Sequence, residues 1–373
     1  MSSASADELR PLATGSQPRW HPPTKWSHRV TMADVEYAYR LFLRREVEEI
    51  GYRHYEGEVK RGMTLDRLAA AFMEADEFKR LCRVDVQTVD LGGYSVCLDA
   101  KDTDFAPGIL FNHDYEPHVR AAIRGLFQPG QTFVDIGANI GCISLLAASI
   151  AGPEGRVIAF EPNPNNLQRL YGGIVLNGFT NVKVMPYAVS DRPATFSLSG
   201  GTSNTTVTEA RGVDTATVYA QAVVPDDELA HLPAIDFIKI DIEGHEPHAL
   251  AGCTRLIEKH NPTLLTEFAP RCLGEIEHLD PRDYLRQVFA LYPRVRAITH
   301  YGDDAEFDGP DAVMDYWHRR NAELVAEGKL PDGMLHFDLI ATRPKPAVRV
   351  DPPASPLRRL ARAVRRHVSR PST

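Results

Sequence analysis

Two hydrophobic rhythms divide the chain. Between residues 35 and 81, apolar positions recur every three to four residues, at Tyr37, Leu41 and Phe42 and again at Leu65, Leu68, Phe72 and Phe78. That spacing predicts amphipathic helices in a small helical module with a modest core of its own. Thr64, just ahead of Asp66 and Arg67, reads as a helix start, because a Thr hydroxyl can satisfy free N–H groups there. Residues 87–98 (QTVDLGGYSVCL) predict a hairpin turning at Gly92-Gly93.

From there the rhythm changes to short apolar runs separated by helical stretches. An amphipathic helix over 116–127 stops at Pro129-Gly130. Strands are expected over 133–136, 157–160, 182–185, 237–240, 263–266, 295–298 and 335–341. Helices are expected ahead of Ala151 and over 165–176, 247–259 and 281–291. Such alternation implies an α/β fold with a mostly parallel sheet covered on both faces. Residues 194–224 break the pattern with Thr- and Ser-rich extended segments, which suit a β insertion or cap.

Composition narrows the function classes. The chain has 373 residues, 43% hydrophobic and 25% charged, enough for a sizeable core. A net charge of −8 argues against a nucleic-acid binder. Cys82, Cys97, Cys142, Cys253 and Cys272 are scattered and form no CxxC pair, so a reducing, cytoplasmic compartment is expected. No run approaches the ~20 apolar residues of a membrane span. Residues 1–27 read as a disordered lead, 28–84 as the helical module, 85–345 as the α/β domain and 346–373 as a basic tail. In the tail, Leu357, Leu360, Ala361, Val364 and Val368 share one helical face, with arginines mostly opposite. A solvated tail is the first reading, and a peripheral contact with an anionic membrane at its inner face is the second.

The chemistry concentrates at two strand ends. TFVDIGANIG (132–141) is a buried strand breaking into a glycine loop and a helix, a common place to hold a nucleotide-like cofactor. Asp135 precedes Gly137, and Asn139 stands where a dinucleotide fingerprint would have its middle glycine, with Gly141 following. A carboxylate there repels phosphate and suits a ligand with a cationic amino-acid portion, such as S-adenosylmethionine. Glu161, ending the next strand, suits the two hydroxyls of a ribose. The second strand end is IDFIKIDIEGHE (235–246). Lys239 in an apolar strand requires a partner among Asp241, Asp135 and Glu267. Asp241, Glu243, Gly244, His245 and Glu246 lie beyond that strand, where His245 could act as a general base or simply be solvated. Glu243 and Glu246 could equally cap the next helix.

VDIGANIG, VIAFEPNPNN, YAVSD, IDFIKIDIEGHE and PTLLTEF together resemble, in order and spacing, the FkbM family of S-adenosylmethionine-dependent methyltransferases. The resemblance covers about residues 115–268. It implies the class I methyltransferase Rossmann-like fold, a seven-stranded sheet with an antiparallel last strand, and O-methylation of a sugar, polyketide or related metabolite. Carried onto this chain, it gives Asp135, Gly137, Asn139, Gly141 and Glu161 to the cofactor, with Ala188 on the adenine side and Glu116 near the methionine end. Lys239 and Asp241 match the second signature, whereas His245 stands where the family often has small residues. The helical segment resembles a module of unknown function attached to bacterial glycan-handling proteins.

The expected function is therefore O-methyl transfer to a saccharide hydroxyl of a surface glycan or glycolipid. Asp241 or His245 is the expected base, with Lys239 holding the carboxylates and Asp241 also bordering the cofactor. A polyketide or other secondary metabolite is the alternative acceptor. A nicotinamide oxidoreductase would want a third spaced glycine. A non-catalytic glycan-binding or scaffold protein is the reading from another class. A divalent cation on Asp241, Glu243 and Glu267 is a less favoured route to the same transfer.

Overall fold

The computed structural model describes residues 29–343, apart from 44, 76, 79–85, 100–101, 201–202, 211–216 and 303. The expected lead and basic tail lie outside the described residues. Helices Met32–Leu43, Glu49–Lys60 and Leu65–Glu74 form the N-terminal module. Its packing is aromatic: Tyr39 meets Phe72 edge-on at 5.0 Å, and Phe42 meets Phe72 and Phe78 at 5.6 and 5.5 Å. Thr64 precedes the third helix but its side chain makes no capping bond. It forms an isolated backbone bridge with Arg29 instead.

The module shares its core with the domain that follows. Phe42 also touches Tyr171 at 5.3 Å, and Gln168 Nε2 donates to the Phe42 carbonyl at 3.2 Å. Tyr37 donates its hydroxyl to the Pro186 carbonyl at 3.2 Å. One continuous apolar cluster runs from Val30 through Phe72 and into Leu145 and Leu170. The hairpin β1 (Val86–Asp90) and β2 (Ser95–Asp99) turns at Gly92-Gly93, both with positive φ.

The main sheet begins with β3 (Thr132–Ile136), β4 (Arg156–Phe160) and β5 (Val182–Met185). A side sheet follows: β6 (Ala188–Val189), β7 (Ala194–Gly200), β8 (Thr205–Glu209) and β9 (Val218–Val223). It is the β insertion the Thr-rich pattern predicts. The chain then returns to the main sheet as β10 (Phe237–Ile240), β11 (Thr263–Phe268), β12 (Arg294–Ile298), β13 (Ala305–Phe307) and β14 (Phe337–Thr342). The order is β13-β12-β14-β11-β10-β3-β4-β5, with β14 antiparallel to both neighbours. This is the class I methyltransferase sheet, extended by an eighth strand, β13, paired antiparallel at its edge.

Strand order reverses between β3 and β10, which opens a crevice beyond their carboxyl ends. Gly137 lies at that point with φ 86°, and a Cβ on it would come within 1.9 Å of the Asp241 carbonyl oxygen. The two strand ends can approach only because this residue has no side chain.

One helix expected as continuous over 247–259 is two, Glu246–Gly252 and Thr254–His260. Gly252 packs where a Cβ would lie 2.4 Å from the Ser190 carbonyl oxygen, and Asp226 accepts the Arg255 and Leu256 N–H groups. That carboxylate starts a fresh helix where the first one ends. The long helix Pro310–Ala326 carries no sequence expectation, and it covers the sheet beside β14 with Val313, Trp317 and Leu324.

Candidate active site

The end of β3 delivers Asp135, which is wholly buried. Its Oδ2 accepts the Ser144 hydroxyl at 2.6 Å, while its Oδ1 has no hydrogen-bond partner. Burial raises its pKa despite the nearby Lys239 and the Ser144 bond. The loop then runs through Gly137 (φ 86°), Asn139 (φ 52°) and Gly141 (φ 96°). Asn139 is among the non-glycine residues that tolerate the left-handed region best.

Glu161 at the end of β4 turns its carboxylate onto this loop. It accepts the Asn139 N–H at 2.8 Å and the Asn163 N–H at 2.7 Å. Asn166 Nδ2 also donates to Oε1, at 3.4 Å; these bonds fix the carboxylate's direction, and Oε2 keeps a lone pair for a hydroxyl. Burial pushes its pKa up to about 7. A ligand that needs the ionised form should therefore bind more weakly as pH falls through that value, by up to about tenfold per pH unit. We expect calorimetry to show S-adenosylhomocysteine binding more weakly at about pH 6 than at about pH 8, with Glu161→Gln weak and flat across the range. A Gln variant that keeps the slope would assign it to another group.

The end of β10 delivers Lys239, buried beside β3. Its Nζ donates to Asp241 Oδ2 at 2.8 Å and lies 4.0 Å from Asp135 Oδ1. Burial alone would depress the ammonium, but Asp241, Asp135 and Glu116 together raise its pKa. Glu116 is half-buried, sits at φ 42°, and leaves its buried Oε2 without a partner. Burial and then Asp241 raise its pKa. Glu243 also holds a positive φ, 59°, and Glu267 Oε2 is another buried, unpartnered oxygen. Strained non-glycine residues gather here, as they do where a fold holds a site open. Glu246, by contrast, accepts the Ile242 and Gly244 N–H groups at 2.9 and 3.1 Å and shapes the loop. Among the described residues, Asp241, Glu243 and Glu267 do not bring three carboxylate oxygens to one point.

A cavity at the glycine loop is lined by Tyr115, Gly137, Ala138, Asn139, Ile140, Cys142, Ile143 and Lys239. Its chemistry fits S-adenosylmethionine. Asp135 Oδ1 and Glu116 Oε2 are buried acceptors awaiting a donor such as an ammonium, and Glu161 suits a ribose. Ala188 does not line this cavity. It pairs with Ala222 of β9 and packs in a small apolar cluster with Phe196. His245 is also placed apart: its Nε2 meets Ser190 Oγ at 3.1 Å and its Nδ1 meets Glu277 Oε1 at 2.6 Å.

Sequence reasoning missed one pair. His118 Nε2 meets Asp338 Oδ2 at 3.0 Å, while its Nδ1 is buried without a partner. His118 opens the helix Pro117–Leu126, two residues after Glu116, and Asp338 begins β14, whose antiparallel course returns it to the carboxyl ends of the parallel strands. The His300 ring packs 4.0 Å from the His118 ring, and burial followed by His118 and His336 lowers its pKa to about 4.

Residues 135–303 match the family description Methyltransferase FkbM domain, and residues 26–82 match a domain of unknown function (DUF4214). The hexuronic acid methyltransferase AglP of Haloferax volcanii is 28% identical over 130 residues, 34% of this chain and 52% of its own length. The chain thus spans about half the length of this curated relative. Methyltransferase FkbM from Methylobacillus flagellatus KT aligns over 82% of this chain and 58% of its own, at 16% identity and a TM-score of 0.35. Fibrillarin from Aeropyrum pernix, solved with natively bound S-adenosyl-L-methionine, aligns over 50% of this chain and 71% of its own, at 13% identity and a TM-score of 0.32. Residues 135–303 thus match an FkbM methyltransferase domain, in a chain with the fold and cofactor chemistry of an S-adenosylmethionine-dependent methyltransferase.

Proposed function

We propose that this protein transfers the methyl of S-adenosylmethionine to a hydroxyl of a saccharide, as part of a surface glycan or glycolipid. The observation that supports this most is the ring of buried and half-buried polar groups at the carboxyl ends of the parallel strands: Lys239 with Asp241, Glu116, and His118 with Asp338. A polyhydroxylated acceptor suits such a ring, whereas a flat apolar metabolite suits apolar and aromatic walls. The relative named as a hexuronic acid methyltransferase supports the same acceptor class.

When bound, the cofactor supplies an electrophilic methyl on its sulfonium. Asp135, Glu116 and Glu161 would hold its ammonium and ribose, together with the backbone of Gly137, Asn139 and Gly141. Much of the rate then comes from aligning the acceptor oxygen with that methyl. Asp241, fixed by Lys239, orients the hydroxyl. His118 accepts its proton at Nδ1, and Asp338 holds the opposite N–H and stabilises the imidazolium. His245, with both ring nitrogens engaged, is not the base in this reading.

Two measurements test it. Calorimetry should show micromolar binding of S-adenosylhomocysteine, and binding of NAD alone would sink the cofactor assignment. Mass spectrometry of surface glycans from cells with and without the gene should show a lost methyl. Unchanged glycans together with normal S-adenosylhomocysteine binding would reject the saccharide and leave another hydroxyl acceptor.

A further inference from the structure

Away from the glycine loop, three loops meet at a second cluster of ligating side chains. Ser190 and Asp191 follow β6, His245 and His248 open the helix Glu246–Gly252, and Glu277 follows the helix Pro270–Glu275. The two imidazoles stack with centroids 4.5 Å apart and planes 21° from parallel. Both turn one nitrogen onto the same carboxylate: His245 Nδ1 lies 2.6 Å from Glu277 Oε1, and His248 Nε2 lies 3.2 Å from Glu277 Oε2.

The other nitrogen of each ring is held from behind. His245 Nε2 meets Ser190 Oγ at 3.1 Å, and His248 Nδ1 meets Asp191 Oδ2 at 3.2 Å. Ser190 Oγ in turn donates to Asp191 Oδ1 at 3.2 Å. Metal-bound imidazoles show this arrangement, in which a carboxylate or hydroxyl behind each ring fixes its tautomer and presents the opposite nitrogen to the ion. Without a cation, two parallel rings face one carboxylate, and only protons can hold the three together.

We infer that His245, His248 and Glu277 form a zinc site that clips the β6–β7 turn, the helix Glu246–Gly252 and the 276–280 segment together. One ligand atom from each residue lies within 4.8 Å of the others. A tetrahedral zinc with nitrogen and oxygen ligands needs them about 3.3 Å apart, so only small side-chain shifts are required. Two imidazoles and a carboxylate suit zinc over magnesium or calcium, which take oxygen ligands. His245 is buried, while His248 and Glu277 are partly exposed and give an ion a way in. Phe196 of β7 packs edge-on against His245 at 5.1 Å, which joins the clip to the β insertion.

The test uses full-length protein stripped with a chelator and titrated with zinc chloride. Elemental analysis should find one zinc per chain, and bound zinc should raise the unfolding temperature. His248→Ala and Glu277→Gln should each lose that zinc while circular dichroism reports an intact fold, and if one fails to fold the other decides. Asp191→Asn should weaken zinc affinity by about tenfold or more, because it acts only from behind the rings, on His248 directly and on His245 through Ser190. A wild-type protein that holds no zinc, or a folded variant that keeps it with unchanged affinity, would overturn the site.

Discussion

His118→Gln is expected to slow methyl transfer by about 10²–10⁴-fold while S-adenosylhomocysteine binds as before. The split follows from placement. His118 is not among Asp135, Glu116 and Glu161, the groups proposed to hold the ammonium and ribose, so cofactor affinity is expected to be independent of it. Its Nε2 is committed to Asp338 and its Nδ1 is the unpartnered nitrogen, which makes it the group prepared to receive a proton. Glutamine keeps much of the shape and a hydrogen bond to Asp338 but cannot take up that proton. The readout is S-adenosylhomocysteine release with the acceptor found by glycan mass spectrometry. A variant at full rate would move the base to Asp241.

Lys239→Met is expected to destabilise the fold by about 3–5 kcal/mol, seen as a lower denaturant midpoint at constant slope. The lysine sits among Asp135, Asp241 and Glu116, and removing it leaves buried carboxylates with no cation. Asp135 and Glu116, which burial already raises, then hold protons in the folded state that they release on unfolding. Folded carboxyl pKa values above the unfolded ones mean that stability falls as pH rises beyond the ordinary carboxylate range. The deficit of the variant should accordingly grow from mildly acidic to mildly basic pH. An unchanged midpoint at both pH values would show that Lys239 adds no net stability through these carboxylates.

The two strand ends were legible because their chemistry is contiguous. Asp135, Gly137 and Gly141 lie within one turn of chain, and Lys239 and Asp241 are two residues apart, so the apolar run and its break locate them. His118 and Asp338 are 220 residues apart and meet only because β14 runs antiparallel into the middle of the sheet. No spacing within the sequence encodes that. The place of His245 was hidden for a similar reason, since Glu277 and Ser190 reach it from two other loops. The helix Pro310–Ala326 begins at a proline without a side-chain cap, so its start carried little local signal. The break at Cys253 depends on Asp226, a carboxylate from the far side of β10.

Tyr37 ties the helical module to the sheet. Its hydroxyl reaches the Pro186 carbonyl, just beyond β5, while Tyr115, Glu116 and His118 all precede residue 135. A fragment cut where the family match begins would keep the glycine loop yet lose the proposed proton acceptor, one wall of the cavity and the aromatic buttress behind it. For expression, crystallisation or domain swapping, the working unit is therefore the module and the sheet together.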